Sequence, residues 1–181
     1  MRTKDIMLIS PDEVKAQSEL NYNVDDTMIG ASIRASQNIY LRDIIGTKFL
    51  TRLQELVMNA INGDEDNIDE EKNIAYKTLI DDYIQPLLAY KVASEICSRI
   101  TLKIRNIGVV RNSDTNAMSA DLADVIYLKD KYDAYFNDAC NRMTEFVCEN
   151  KTAFPESEFV CGCGKHPLYA RTGLWVGPNR K

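Results

Sequence analysis

The stretch Asp81-Asp82-Tyr83-Ile84-Gln85-Pro86-Leu87-Leu88-Ala89-Tyr90, set inside an apolar run from Ile74 to Ile104, decides the fold. Around it, apolar residues fall at Tyr76, Leu79, Ile80, Tyr83, Ile84, Leu87, Leu88, Val92, Ile96 and Ile100, the three-and-four spacing of one helix face. That stripe predicts a buried central helix. Pro86 is its one irregularity, because proline has no N–H, clashes with the preceding turn and pushes Gln85 away from helical angles. The stripe passes through Pro86 in phase. Two alternatives follow: one kinked helix, or two coaxial helices with Pro86 at the first position of the second.

Upstream, Ile6–Ile9 is a short apolar run, read as an extended arm, ending at Ser10-Pro11-Asp12-Glu13. Ser at the cap, Pro at the first helical position and Glu three residues after the cap form a capping box, so a short helix should begin at Pro11. Asp25 or Asp26 can cap the next helix, whose face carries Ile29, Ile33, Ser36 or Gln37, and Tyr40, and continues through Leu41, Ile44 and Ile45. Gly46 can take left-handed angles and the Thr47 hydroxyl can cap the helix after it, giving a tight antiparallel helical hairpin. The second arm of the hairpin carries Phe49, Leu50, Leu53, Leu56, Val57, Ala60 and Ile61. Asn62-Gly63-Asp64-Glu65-Asp66 reads as a solvated acidic loop, with Asn67 or Asp69 capping the central helix.

Downstream the period changes. Leu102, Ile104 and Asn106 alternate with Lys103, Arg105 and Ile107, followed by Gly108-Val109-Val110, so residues 102–111 read as a strand. As a lone strand or a two-stranded hairpin it is marginal in water, and would be completed by another element, another chain, or the Ile6–Ile9 run of the same molecule. The last long helix should span about Ser119 to Asn150, with Leu122, Val125, Ile126, Tyr132, Phe136, Ala139 or Cys140, Met143, Phe146 and Val147 on its stripe. Lys129 interrupts that stripe and would have to turn its ammonium outward. Beyond Phe154-Pro155 there is no clear periodicity. The expected organisation is mainly α, an antiparallel helical bundle with a small β excursion at about 102–117 between the last two long helices. It divides into an N-terminal arm and short helix (1–24), a helical domain (25–154) and a basic extended tail (155–181).

Composition narrows the function. The 181 residues, 45% hydrophobic, can bury one sizeable core. No apolar run approaches the ~20 residues that cross a bilayer, and Met1-Arg2-Thr3-Lys4-Asp5 has no apolar signal segment, so a cytoplasmic chain is expected. Cys97, Cys140, Cys148, Cys161 and Cys163 are odd in number and three fall in helical patterns, which suggests reduced thiols. The net charge of minus 5 argues against a protein whose main task is gripping nucleic acid. The distribution is uneven: from Phe159 to Lys181 there is no Asp or Glu, and Lys165, Arg171, Arg180 and Lys181 give plus 4, leaving minus 9 on residues 1–158.

In order, Tyr83-Ile84-Gln85-Pro86-Leu87-Leu88-Ala89-Tyr90, then Ile104-Arg105-Asn106-Ile107-Gly108-Val109-Val110, then a long helix ending near Phe154-Pro155, resemble the head-tail connector proteins of tailed bacteriophages. The resemblance is to the ring or adaptor subunits of crAss-like and other Bacteroidetes phages. Ile33-Arg34-Ala35-Ser36-Gln37-Asn38-Ile39-Tyr40 and Ile44-Ile45-Gly46-Thr47 fit the same pattern, which covers roughly residues 10–155; the tail departs from it. The resemblance implies a virion protein, assembled in the host cytoplasm, forming a homo-oligomeric ring of about 12 copies at the head–tail interface. It implies as partners the portal protein and a neighbouring ring or tail protein, with DNA passing through the channel without specific binding and no membrane contact.

The residues available for chemistry are few. Cys161, Cys163 and His166 could bind zinc or act as a dithiol, making a small helical metal or thiol protein the alternative function. Tetrahedral zinc wants a fourth ligand, from Cys148 or a carboxylate, and short motifs match by chance, so incidental thiols in a tail are favoured. With a single histidine and no phosphate-binding loop or nucleophile elbow, no catalytic residue, metal ligand or cofactor is assigned. The expected partner-interface residues are Ile107, Gly108, Val109 and Val110 in the β excursion, and Leu174, Trp175 and Val176 in the tail, where the only tryptophan suits a partner pocket.

Overall fold

A computed structural model describes residues 5–105, 108–111 and 122–157, with backbone only for 100–105 and 108–111. The chain is mainly helical. Helix α1 (Pro11–Gln17) opens with the expected capping box: the Glu13 N–H donates to Ser10 Oγ at 3.2 Å and the Ser10 N–H donates to Glu13 Oε2 at 2.8 Å. Replacing Ser10 by alanine should cost about 1 kcal/mol in urea unfolding, and an unchanged midpoint would show that α1 holds by packing alone.

Asp25 caps α2 (Asp26–Ser36), accepting from the Thr27 N–H at 2.8 Å. The helix does not stop at Ser36. It widens into a π-helical turn (Gln37–Leu41), in which the Arg42 N–H reaches the Gln37 carbonyl five residues back, and resumes as α3 (Arg42–Ile45). One extra residue in the turn resets the helical phase, so Ser36 and Gln37 are both buried and so are Leu41 and Ile45. Gly46 (φ 83°, ψ 160°) then reverses the chain. Its angles are open only to glycine, and Gly46 itself stands at the cap of α4 (Thr47–Asn62) with no side-chain bond, so Thr47 is the first helical residue and not the cap.

The central segment settles the two alternatives at Pro86. The chain is helical from α5 (Ile74–Thr78) through a π-helical segment (Leu79–Ile84) into α6 (Gln85–Thr101). The Gln85 N–H bonds the Ile80 carbonyl. Widening the turn ahead of the proline relieves the clash its ring would make in an α-helix, and the run continues without a break. Tyr76, Leu79, Ile80, Ile84, Leu87, Leu88, Val92 and Ile96 are all buried. Asn73, not Asn67 or Asp69, precedes α5, after a short 3-10 turn (Glu71–Asn73) and without a side-chain cap.

Helix α7 (Leu122–Glu149) runs antiparallel to α6: Tyr83 stacks on Phe146, Tyr90 meets Tyr135, and Cys97 packs with Tyr132. Of the two readings of residues 102–111, a lone strand or a two-stranded hairpin, the backbone takes the second. Leu102–Arg105 (β1) and Gly108–Arg111 (β2) pair antiparallel with each other, Leu102 opposite Arg111 and Arg105 opposite Gly108. Nor does Ile6–Ile9 supply a strand. It is irregular, with Ile6, Leu8 and Ile9 buried in the helical interior. Its backbone is satisfied by two buried amides: Gln37 accepts from the Leu8 N–H at 3.0 Å and donates to the Ile6 carbonyl at 2.8 Å, and Gln54 donates to the same carbonyl at 3.1 Å. Gln37 and Gln54 lie at nearly equal chain distances on either side of Gly46, so the two helices flank the arm side by side.

Candidate interaction surface

Three features of the described residues combine charge or exposed apolar surface in one place. The first lies between α6 and α7. Lys91, nearly buried, donates to Asp133 Oδ1 at 3.0 Å and lies 4.3 Å from the Tyr40 ring centroid and 5.4 Å from that of Phe136. Ser94 Oγ donates to Asp133 at 2.8 Å and Lys129 Nζ at 2.6 Å, while Tyr40 donates its hydroxyl to Glu95 at 3.0 Å. Lys129 therefore does not turn out to solvent alone; it pairs one helical turn on. Burial alone would raise the pKa of Asp133, but the hydrogen bonds from Lys129, Ser94 and Lys91 outweigh it and hold the carboxyl below its usual range. A carboxylate so fully supplied with donors is a poor proton acceptor at neutral pH, and Ser94 spends its proton on it. The cluster is a clasp between two helices rather than a reacting centre.

The second feature is the loop between α4 and α5, read from sequence as solvated charge. It is ordered. Gly63 closes α4 in the left-handed region (φ 74°) and Asp66 also takes positive φ (61°). Asp66 receives Arg52 through two guanidinium nitrogens at 2.9 and 3.3 Å, Asn73 at 3.2 Å and Lys72 at 3.1 Å. The hydrogen bond from Arg52, followed by those from Asn73 and Lys72, holds its carboxyl far below the usual carboxylate range. Glu156 joins the same group, accepting from Tyr76 Oη at 2.7 Å. Burial and that bond push the Tyr76 phenol up to about 12. Beside it Phe154 is buried against Phe49, Tyr76 and Phe146. The segment that follows α7 is thus pinned to α4 and α5 as far as Glu156.

The third is apolar and exposed. The predicted stripe of α7 is buried only from Tyr132 onward, at Tyr132, Ala139, Cys140, Met143 and Val147. In its first two turns Leu122 and Ile126 are about half exposed and Tyr127 is 74% exposed. Because α7 runs antiparallel to α6, these turns lie at the end of the bundle where α6 passes into β1. Ile61, placed by periodicity on the buried side of α4, is also exposed.

Of the expected interface residues, Gly108, Val109 and Val110 form β2, at that same end of α6. Ile107, Leu174, Trp175 and Val176 lie outside the described residues, as do Cys161, Cys163 and His166. The exposed pair Ile126 and Tyr127 is what periodicity misses: Ile126 fits the stripe perfectly, and only the missing partner element reveals that nothing in the described core reaches it. Among the described residues no group of three His, Cys, Asp or Glu side chains is arranged to hold a metal ion, and no helix is long and apolar enough to cross a membrane.

The family described as a family of unknown function (DUF6712) matches residues 41–167, which takes in α4 to α7 and the Phe154–Glu156 anchor. No curated protein and no solved structure matches the chain.

Proposed function

We propose that this chain, which belongs to the family of unknown function DUF6712, is a non-enzymatic virion protein: a head-tail connector subunit that forms a ring below the portal of a tailed phage, extends the DNA channel and docks the tail. The observation that carries the reading is the first two turns of α7. They hold Ile126 and Tyr127 in solvent, whereas from Tyr132 onward the same helix buries Tyr132, Ala139, Cys140, Met143 and Val147 in the interior. Large apolar side chains exposed at one end of the bundle fit a surface made for another copy, and a closed ring requires such head-to-tail contacts. The order of parts that resembles connector subunits, and the charge of minus 9 on residues 1–158 against plus 4 on the tail, support the same reading. An acidic body lets DNA slide past without phosphate contacts.

Native mass spectrometry and negative-stain imaging of the full chain, alone and co-expressed with the portal protein of the phage that carries its gene, should show rings. Ile126→Asp should abolish them while the circular dichroism spectrum stays unchanged, since an exposed substitution costs within about 0.5 kcal/mol. A monomer under both conditions would refute the assembly. Removing residues 159–181 should leave the helical body folded, because the core closes with Phe154 and Glu156, but should impair docking through Leu174, Trp175 and Val176. Normal incorporation of the shortened chain into particles would remove the tail from the interface.

A further inference from the structure

The two ends of the bundle carry exposed apolar residues in opposite electrostatic settings. The helical run from Ile74 through α5 and α6 to Thr101 separates them by roughly 40 Å at the ordinary helical rise. At its start, Asp66 ties α4 to the head of α5, its carbonyl accepting from Asn59 Nδ2 at 3.0 Å and its carboxylate from Asn73 Nδ2 at 3.2 Å. Just past those two amides, Ile61 and Ile74 are 65% and 64% exposed. Residues 61–74 hold Asp64, Glu65, Asp66, Asp69, Glu70 and Glu71 against Lys72 alone, a net minus 5. Arg52, Lys72 and Lys77 engage Asp66, Glu70 and Asp69, whereas Asp64, Glu65 and Glu71 are exposed. The other end holds Leu122, Ile126 and Tyr127, where α6 passes into the hairpin. Its described residues are basic: Arg99, Lys103, Arg105 and Arg111 come from α6 and the hairpin, and on α7 Asp124 and Asp130 are matched by Lys129 and Lys131.

The geometry points to a contact between copies in which the basic end of one, at Ile126 and Tyr127, seats on the acidic end of the next, at Ile61 and Ile74. The inference rests on the reading of the first turns of α7 as a surface for another copy, and names what they meet. Charge decides the pairing. A symmetric contact would set plus 4 against plus 4, or the 61–74 carboxylates against their own counterparts, and like charges brought together oppose association. Joining unlike ends instead sets Asp64, Glu65 and Glu71 against the basic end as a polar rim, with the isoleucines and Tyr127 as the apolar centre. A contact between two different surfaces leaves each copy one free end for its next neighbour, so it propagates until rotation closes it.

Mixing two full-length variants tests this by native mass spectrometry, at concentrations at which the parent chain assembles. Samples are kept free of reductant, because Cys148 is disulfide-bonded where the sequence suggests reduced thiols. Ile126→Asp blocks the basic end, and Ile61→Asp with Ile74→Asp blocks the acidic end. Each variant alone should be monomeric with an unchanged circular dichroism spectrum, since all three positions are exposed. Mixed in equal amounts, they should give a dimer of one copy of each and nothing larger, because only one intact junction can form. Adding Glu65→Lys and Glu71→Lys to the Ile126→Asp chain, whose acidic end makes that junction, should weaken the dimer about tenfold at low salt and less as salt rises. The pairing of ends is overturned if the Ile61 and Ile74 variant assembles like the parent, if the mixture stays monomeric, or if the lysine substitutions leave the dimer unchanged. In those cases a parent chain that still assembles through α7 keeps the connector reading. A parent chain that stays monomeric even with the portal protein overturns both.

Discussion

Replacing Phe154 by alanine is expected to destabilise the chain by about 3–5 kcal/mol, the range for truncating a fully buried aromatic side chain. Phe154 is 1% exposed, with its ring 5.5 Å from Phe49, 5.1 Å from Tyr76 and 6.0 Å from Phe146, so one truncation opens a cavity shared by α4, α5 and α7. The edge contact with Tyr76 adds to the area lost. The effect should not be confined to the segment after α7: Tyr76 also donates to Glu156, which lies 3.8 Å from Arg52, and Arg52 holds Asp66. Loosening Phe154 therefore loosens the 62–73 loop as well. Phe154→Leu, which keeps most of the volume, should cost about 1–2 kcal/mol. Urea unfolding of the full chain, followed by circular dichroism, measures both. A loss under 1 kcal/mol for the alanine variant would mean that the segment after α7 is not part of the cooperative unit.

Most of the helical content follows from apolar spacing, and the reasons for the exceptions are specific. Where a helix is regular, as in α4 from Phe49 to Leu56 or α7 from Tyr132 to Val147, residues three and four apart are buried as the period requires. The π-helical turn at Gln37–Leu41 defeats the period by one residue, which is why Ser36 and Gln37 competed for the same place on the face; both are inside. Nothing in the residues announces that turn, whereas the one at Leu79–Ile84 is signalled by Pro86, whose position shows that the helix must adjust but not how. What Gln37 and Gln54 hold cannot be read from spacing, because their partners, the Ile6 carbonyl and Leu8 N–H, are far away in sequence and come close only when the arm is folded in. A buried backbone strap needs such donors and acceptors, yet no local pattern encodes them. The exposed Ile126 fails in the opposite way: period alone cannot say where along a helix the partner element ends.

Asp133→Ala should cost about 2–3 kcal/mol, because it strips the carboxylate from Lys91, which is 8% exposed, and leaves an ammonium inside the helix pair. Removing one partner of a buried ion pair commonly costs about 3–5 kcal/mol. The smaller figure applies here because Asp133 is 29% exposed at its side chain and Lys91 keeps Glu95 at 3.9 Å and the faces of Tyr40 and Phe136. Lys91→Met removes the buried charge itself and leaves Asp133 with Lys129 and Ser94, so it should cost about 1–2 kcal/mol. With both substitutions, no charge is stranded, and the loss should fall short of the sum by about 1–2 kcal/mol. The pH dependence follows from the same geometry. The folded pKa of Asp133 is depressed, so its contribution is present in full above the unfolded carboxylate pKa of about 4 and is lost as the pH falls through the lower folded value. Stability of the parent chain should therefore decline more steeply than that of Asp133→Ala below about pH 4. Strict additivity of the two substitutions, together with parallel acid profiles, would mean that Lys91 and Asp133 do not act as a pair and that α6 and α7 are held by their apolar faces alone.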